Sequence, residues 1–311
     1  MKTDLIVTGR MYPPTLAALD SAYTTHKLFE AQDRDAMIAS VADRITAVAS
    51  SNSGGIDGAT MAKLPQLKVI SHFGVGYDTV DVDAARKRGI TVTNTPDVLT
   101  DDVADLAIAL LLATVRKVPQ GDRYVREGKW LKGAMPLTDT IQGKTLGVIG
   151  MGRIGRAIAK RAEAFNLKVA YQGPSKKNDV TWSYYADLVA LAMDVDFLVA
   201  ACPGGEATRG IVNRAVIEAL GPKGVFVNIS RGTVADEPAL LEALQQGRLG
   251  GAGLDVFVDE PDVPTGFLTL DNVVLQPHVG SASHQTRTAM GQLVIDNLAA
   301  HFSGKPLLTP I

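Results

Sequence analysis

The chain has 311 residues, 46% of them hydrophobic and 21% charged, the make-up of a folded globular protein of about two domains rather than a disordered or fibrous one. Lys plus Arg number 31 and Asp plus Glu 33, so a net charge of -2 offers no excess of positive charge to hold a nucleic acid or an anionic membrane. The one cysteine, Cys202, excludes an internal disulfide and a cysteine-based metal cluster, and suits a reducing cytoplasm.

Short β-branched runs alternate with helical stretches from end to end. Residues 5–8 read as a strand, and Pro13-Pro14 starts a helix over 16–23. Residues 47–49 and 69–72 read as strands, with turn material at 51–55 between them. Asp81 opens a helix whose Arg86, Lys87 and Arg88 suit its C-terminal end, and Gly89 stops it. Residues 101–127 read as one helical stretch, and 106–115 is apolar all round, so it is expected to lie against another domain, another subunit or a central core. At 10 residues that run is too short for a bilayer, which takes about 20.

The second half is more regular. Strands are expected at 145–149, 168–171, 197–201, 225–229, 251–255 and 273–275. Helices fall between them at 153–165, 184–192, 214–220 and 237–246. Strands joined by helical crossovers imply a mostly parallel sheet covered on both faces, hence an α/β fold. A last amphipathic run, 286–302, lies too far from any following strand to extend that sheet.

Gly150, Gly152 and Gly155 form G-x-G-x-x-G directly after a strand and at the opening of a helix. The first glycine allows the tight turn and the second lets backbone approach a pyrophosphate. The third lets helix and strand pack closely. The amides of Met151, Arg153 and Ile154 would then face phosphate at a helix start. An NAD site usually carries Asp or Glu about 20 residues on. Here the next strand runs into Gly173-Pro174-Ser175-Lys176-Lys177, with no carboxylate before Asp179. A hydroxyl and two ammonium groups suit a 2′-phosphate, so NADP(H) is expected to be preferred, with NAD(H) possible.

Reducing a 2-keto acid takes a group to hold the carboxylate and polarise the carbonyl, and another to deliver a proton. Arg231, Glu260 and His278 each follow a strand end, where ligands of open α/β sheets bind. Taken singly, each has a plainer reading: Arg231 in a salt bridge with Asp236 or Glu237, Glu260 as a loop acid, His278 as an edge histidine. His72 could cap the first sheet, and His26, His284 and His301 read as surface or helix residues. No two histidines have metal-ligand spacing, and no metal is expected.

Taken together, several segments in order resemble the D-isomer-specific 2-hydroxyacid dehydrogenase family over nearly the whole chain. They are residues 72–78, 92–96, 102–105, the glycine loop, 229–232, 253–257, Glu260-Pro261 and 277–281. The resemblance implies two Rossmann-like domains with an active cleft between them: 1–98 plus 289–311 for substrate, 99–288 for NAD(P). It makes His278 the acid/base, Glu260 its partner and Arg231 the substrate holder, with the amides of Val75 and Gly76 receiving the carboxylate. Cys202, Pro203, Ile229, Ser230, Arg231, Asp255, His278 and Gly280 would join the glycine loop and residues 174–177 around the cofactor. A homodimer built around the helix near Leu106 is implied, with Trp130 reaching toward the partner's site. Residues 95–102 and the Ser-Lys-Lys loop look most like the NADPH-dependent glyoxylate/hydroxypyruvate and hydroxyphenylpyruvate reductases. Met11 and Tyr12 would either narrow the pocket for small keto acids or stack on an aromatic one. A nucleotide-gated protein-binding module is the reading from another class.

Overall fold

The structure, a computed structural model, describes residues 2–311, and its contacts divide the chain into two units. One comprises the residues up to Leu99 together with Ser283–Ile311, and the other is Thr100–Ala282. The divisions thus fall at 99 and 283, where the sequence reading placed them at 98 and 289. The second differs because the last helix begins at His284, with Ser283 as its N-cap.

The first unit is built on a five-stranded sheet of β1 (Asp4–Val7), β2 (Thr24–Lys27), β3 (Ala47–Ser51), β4 (Val69–Phe73) and β5 (Thr91–Thr93). All pairs are parallel, and the order is β2-β1-β3-β4-β5. Helices α1 (Pro13–Ala22), α2 (Arg34–Val41), α3 (Gly58–Ala62) and α4 (Val82–Lys87) connect them. Aspartates cap three of the four: Asp33, Asp57 and Asp81 each accept a hydrogen bond from the amide three residues on. Gly89, at φ +67°, ends α4 in the left-handed region, as its place in the sequence suggests. β3 and β4 are buried throughout, as strands covered on both faces must be.

In the second unit, α5 (Thr100–Val115) and α6 (Val118–Arg126) precede a seven-stranded parallel sheet. Its strands are β6 (Thr145–Ile149), β7 (Lys168–Gln172), β8 (Ser183–Tyr185), β9 (Phe197–Ala200), β10 (Val225–Asn228), β11 (Gly251–Leu254) and β12 (Val273–Leu275). Between them run α7 (Arg153–Ala164), α8 (Leu188–Asp194), α9 (Arg214–Leu220), α10 (Glu237–Gln245) and α11 (Thr265–Leu268). The order β12-β11-β10-β9-β6-β7-β8 reverses between β6 and β9, which opens the ligand crevice of a doubly wound sheet beyond those two strand ends.

Two expectations change here. The run 101–127 is not one helix: Lys117 adopts φ +50°, and the chain turns there between α5 and α6. The expected helix 184–192 begins instead with the edge strand β8, and α8 starts only after its cap Asp187. Tyr184 packs with its ring tilted, 5.3 Å between centroids, against Tyr171 of β7, a cross-strand pair. As for the apolar run, α5 packs within its own unit on α7, β10 and β11, burying Val103, Ala107, Leu110 and Leu111.

The chain ends with α12 (His284–Phe302), which packs on α1 and β4 of the first unit. The tail beyond it is tied to β5, the Ile311 amide donating to the Val92 carbonyl at 3.0 Å. Buried Asn297 accepts from the Leu308 amide and donates to Thr309, fixing that return.

Candidate active site

β6 leads straight into the glycine loop. Gly150 has φ +92°, and a Cβ there would lie 2.8 Å from the backbone of Cys202, which follows β9 across the switch point. A side chain on Gly155 would run into the Gly150 carbonyl. Both glycines are therefore demanded by the fold itself. Gly152 is different: its φ of -84° suits any residue, and a Cβ there would meet no atom of the protein. Glycine at that position keeps the approach to the start of α7 clear, as close contact between backbone and a dinucleotide pyrophosphate needs.

Beside this loop, burial pushes the Cys202 thiol up to about 11, so it stays neutral and inert at physiological pH. Pro203 follows it, and Ile229 and Ser230 lie nearly buried after β10. At the end of β7, Pro174, Ser175 and Lys176 are exposed and Lys177 is half-buried. The loop is shaped by the Lys177 amide, which donates to the Tyr171 hydroxyl at 2.7 Å. Asp179, the first carboxylate downstream, is engaged by Arg156 at 2.9 Å and 3.0 Å, and that hydrogen bond holds its carboxyl below the usual range.

Three strand ends of the same sheet carry the acid-base group. His278 Nδ1 lies 2.6 Å from Glu260 Oε2, and both side chains are about one-third exposed, at 35% and 34%. The partner of Nδ1 is an ionised carboxylate, which can only accept, so Nδ1 carries a proton and Nε2 is the nitrogen left to exchange one. Glu260 is itself held, its Oε1 accepting from the Phe257 amide at 3.0 Å. Burial pushes the Glu260 carboxyl up, but the His278 hydrogen bond and charge, the Phe257 amide and the Arg231 guanidinium together bring it below its ordinary value. Arg231 thus stands close enough to act on Glu260, and its Nη1 donates to the Ser230 carbonyl at 2.9 Å. The acids that might have claimed Arg231 have other roles: Asp236 caps α10 through the Ala239 amide, and Glu237 accepts from the Val258 amide.

Two buried residues shape this group, and sequence reading gave neither that role. Asn228, 1% exposed, accepts from the Ser230 amide and hydroxyl and donates to the Arg231 carbonyl at 2.9 Å, locking the turn that presents Arg231. Asp255, also 1% exposed, accepts the His278 amide on its carbonyl and the Val279 and Gly280 amides on its carboxylate at 2.7 and 2.8 Å. These bonds hold His278 at φ +53°, a conformation that costs a histidine about 1–3 kcal/mol. Burial raises the Asp255 carboxyl, against the pull of those two amides. In the sequence Asn228 is marked only as a polar residue at the end of an otherwise apolar strand, and Asp255 only as a member of the segment 253–257 expected around the cofactor.

In the first unit, Val75 and Gly76 lie half-exposed in the turn after β4. Met11 is nearly buried after β1, and the Tyr12 hydroxyl lies 3.1 Å from His284 Nδ1. His26 pairs with Asp4, His301 contacts Thr46, and His72 is wholly buried. Trp130 is 68% exposed.

Residues 108–280 match the model of the D-isomer specific 2-hydroxyacid dehydrogenase NAD binding domain. The chain is 50% identical over 293 residues to a hydroxyphenylpyruvate reductase of Plectranthus scutellarioides, covering 94% of each chain. It is equally identical, with the same coverage, to a glyoxylate/hydroxypyruvate reductase A of Arabidopsis thaliana. Among solved structures, an NADPH-dependent glyoxylate/hydroxypyruvate reductase from Sinorhizobium meliloti in complex with NADP and malonate superposes with a TM-score of 0.92 at 43% identity. That match covers 100% of this chain and 97% of the other. A glycine loop at the switch point and a paired His278 and Glu260 near Arg231 are thus set in a chain that matches these enzymes over nearly its full length: the chain belongs to the D-isomer specific 2-hydroxyacid dehydrogenase family.

Proposed function

We propose that the chain reduces small 2-keto acids, glyoxylate and hydroxypyruvate, to glycolate and D-glycerate, with NADPH as the preferred donor. The observation that carries this reading is the 2.6 Å pairing of His278 with Glu260, with Arg231 close enough to bear on the same carboxylate. Bound at the glycine loop, NADPH supplies a hydride to the keto carbon. Arg231 draws the carbonyl oxygen toward negative charge, and His278 Nε2 gives that oxygen its proton. Glu260 keeps the ring oriented and steadies the charged imidazole before transfer. The amides of Val75 and Gly76 receive the substrate's carboxylate, and Met11 and Tyr12 flank its side chain.

Preference for NADPH is supported by Ser175, Lys176 and Lys177 after β7, and by Arg156 engaging the first acid that follows them. The test is the rate of nicotinamide oxidation with glyoxylate, hydroxypyruvate, pyruvate and hydroxyphenylpyruvate, each with NADPH and with NADH. Fast turnover of the two small acids with NADPH is expected. No turnover of any keto acid would end the reductase reading and favour a nucleotide-gated binding role. Ser175→Asp combined with Lys176→Ala should weaken NADPH at least tenfold more than NADH, and an unchanged ratio would remove residues 174–177 from the cofactor site. Hydroxyphenylpyruvate is the second reading, favoured by the 50% identity to a reductase of that name. A clear preference for it over glyoxylate would keep the chemistry and change the substrate.

A homodimer is supported by the segment after α5, which exposes Val118, Val125 and Trp130, and leaves Leu131 and Leu137 94% and 99% exposed. So many large apolar side chains on one stretch mark an association surface. Leu131→Asp with Leu137→Asp should convert a sedimenting dimer to a monomer. A wild type that sediments as a monomer at micromolar concentration would refute the assignment.

A further inference from the structure

We propose that His72 is a positioning residue that holds the far end of the turn whose Val75 and Gly76 amides face the substrate. This rests on the reading that those amides receive the keto acid's carboxylate. In the turn after β4, three successive carbonyls are tied to the body of the unit. The Gly74 carbonyl accepts from the Thr95 amide at 3.0 Å, the Val75 carbonyl from Asn94 Nδ2 at 2.9 Å, and the Gly76 carbonyl from His72 Nε2 at 3.0 Å. Neither the Val75 nor the Gly76 amide donates to an acceptor among the described residues. A peptide whose carbonyl is drawn inward turns the N–H of the next residue outward. The Thr95 amide and Asn94 thus turn out the Val75 and Gly76 amides, and His72, through the Gly76 carbonyl, fixes the end of the turn and the Tyr77 amide beside them. Successive amides held this way form a concave anion receptor.

The imidazole is the part of this clamp that reaches furthest. It is wholly buried, and Ser50 Oγ lies 2.9 Å from its Nδ1. Its Nε2 faces two acceptors at 3.0 Å, the Gly76 carbonyl and Asn52 Oδ1. A carbonyl can only accept, so Nε2 must carry hydrogen whatever the state of Nδ1. The ring lies directly beneath Gly74, where an added Cβ would sit 2.9 Å from Nε2. His72 therefore joins the loops that leave β3 and β4, through Asn52 and Gly76 respectively. Asn52 lies beside Ser51, whose hydroxyl donates to the Arg10 carbonyl after β1, so the clamp extends to the loop that carries Met11.

The expected signature is a loss confined to the carboxylate. His72→Phe keeps the ring's bulk without the donor, and His72→Asn is too short to reach Gly76. His72→Gln returns an N–H to nearly the same place. Titrating oxalate into each protein saturated with NADPH should show tenfold or weaker binding for Phe and Asn, and recovery to within about threefold for Gln. The KM for glyoxylate should rise in parallel, while NADPH affinity stays level and kcat changes less than KM. Should the phenylalanine variant fail to fold, the asparagine and glutamine variants carry the comparison.

A folded Phe or Asn variant with wild-type oxalate affinity would overturn the proposal. So would an equal loss of NADPH binding, which marks general damage, or a wild-type complex that binds no oxalate. A wild type that turns over no keto acid, yet loses oxalate affinity in the Phe and Asn variants, would sink the reductase reading and leave the role of His72 standing.

Discussion

Replacing His278 by alanine should lower kcat by about 10²–10⁴-fold and leave NADPH affinity as it was. The side chain hangs from a turn whose backbone is held by Asp255, so its loss leaves the strand ends and the glycine loop in place. What disappears is the proton at Nε2. Single-turnover kinetics would check this, and a variant that kept wild-type kcat would show that another group donates. The pH profile follows from the same pairing. Glu260 is held below its ordinary value, so its carboxylate persists as pH falls and is lost only beneath the usual carboxylate value of about 4.3. Keto-acid reduction should therefore hold its rate from neutrality down to about pH 5. Glu260→Gln keeps the shape and removes the titrating carboxyl, so its kcat should fall and the loss of rate below about pH 4 that belongs to Glu260 should disappear from its profile. An unchanged profile would mean that Glu260 does not act on His278.

Replacing Arg231 by alanine should raise KM and lower kcat together, with kcat/KM falling about 10²–10⁴-fold. Two charge-assisted hydrogen bonds at about 1.5–3 kcal/mol each account for that range. Arg231→Lys restores the charge without the planar fork and should recover only part of the loss. Removing the guanidinium also removes one of the influences holding the Glu260 carboxyl down, so the alanine variant should lose activity sooner on acidification than wild type. Steady-state kinetics across pH would test both effects. A kcat/KM within tenfold of wild type would return Arg231 to a purely structural role in its turn.

Much of this was legible in residue order because the chemistry is local. The glycine loop announces itself by spacing, and the structure adds which glycines the fold needs and that Gly152 is not one of them. Asp81 and Gly89 bracket α4 as capping rules predict. The misses have common causes. β2 is a short, polar edge strand with no alternation to detect, and β8 takes its structure from pairing with β7. The break at Lys117 depends on one backbone dihedral in a residue that gives no warning of it. Asn228 acts through the Ser230 amide and the Arg231 carbonyl, and Asp255 through the Val279 and Gly280 amides of a turn far along the chain, partnerships that neither residue type nor spacing reveals. His72 was read as a possible cap of the sheet, but its link to Gly76 depends on the ring turning back beneath Gly74.

The return of α12 to the first unit sets an order on biogenesis. Every residue of the second unit has been made once position 282 is reached, and its strands can pair in the sequence in which they emerge. The first unit starts earlier and finishes last, because β4 lacks the helix that covers it and β5 its tail until the final residues arrive. At 5–20 residues per second, about ten to forty seconds separate Leu99 from Ser283 on the ribosome. Through that interval the apolar face of the first sheet stands uncovered on the nascent chain, which makes it the stretch with most to gain from a holding chaperone.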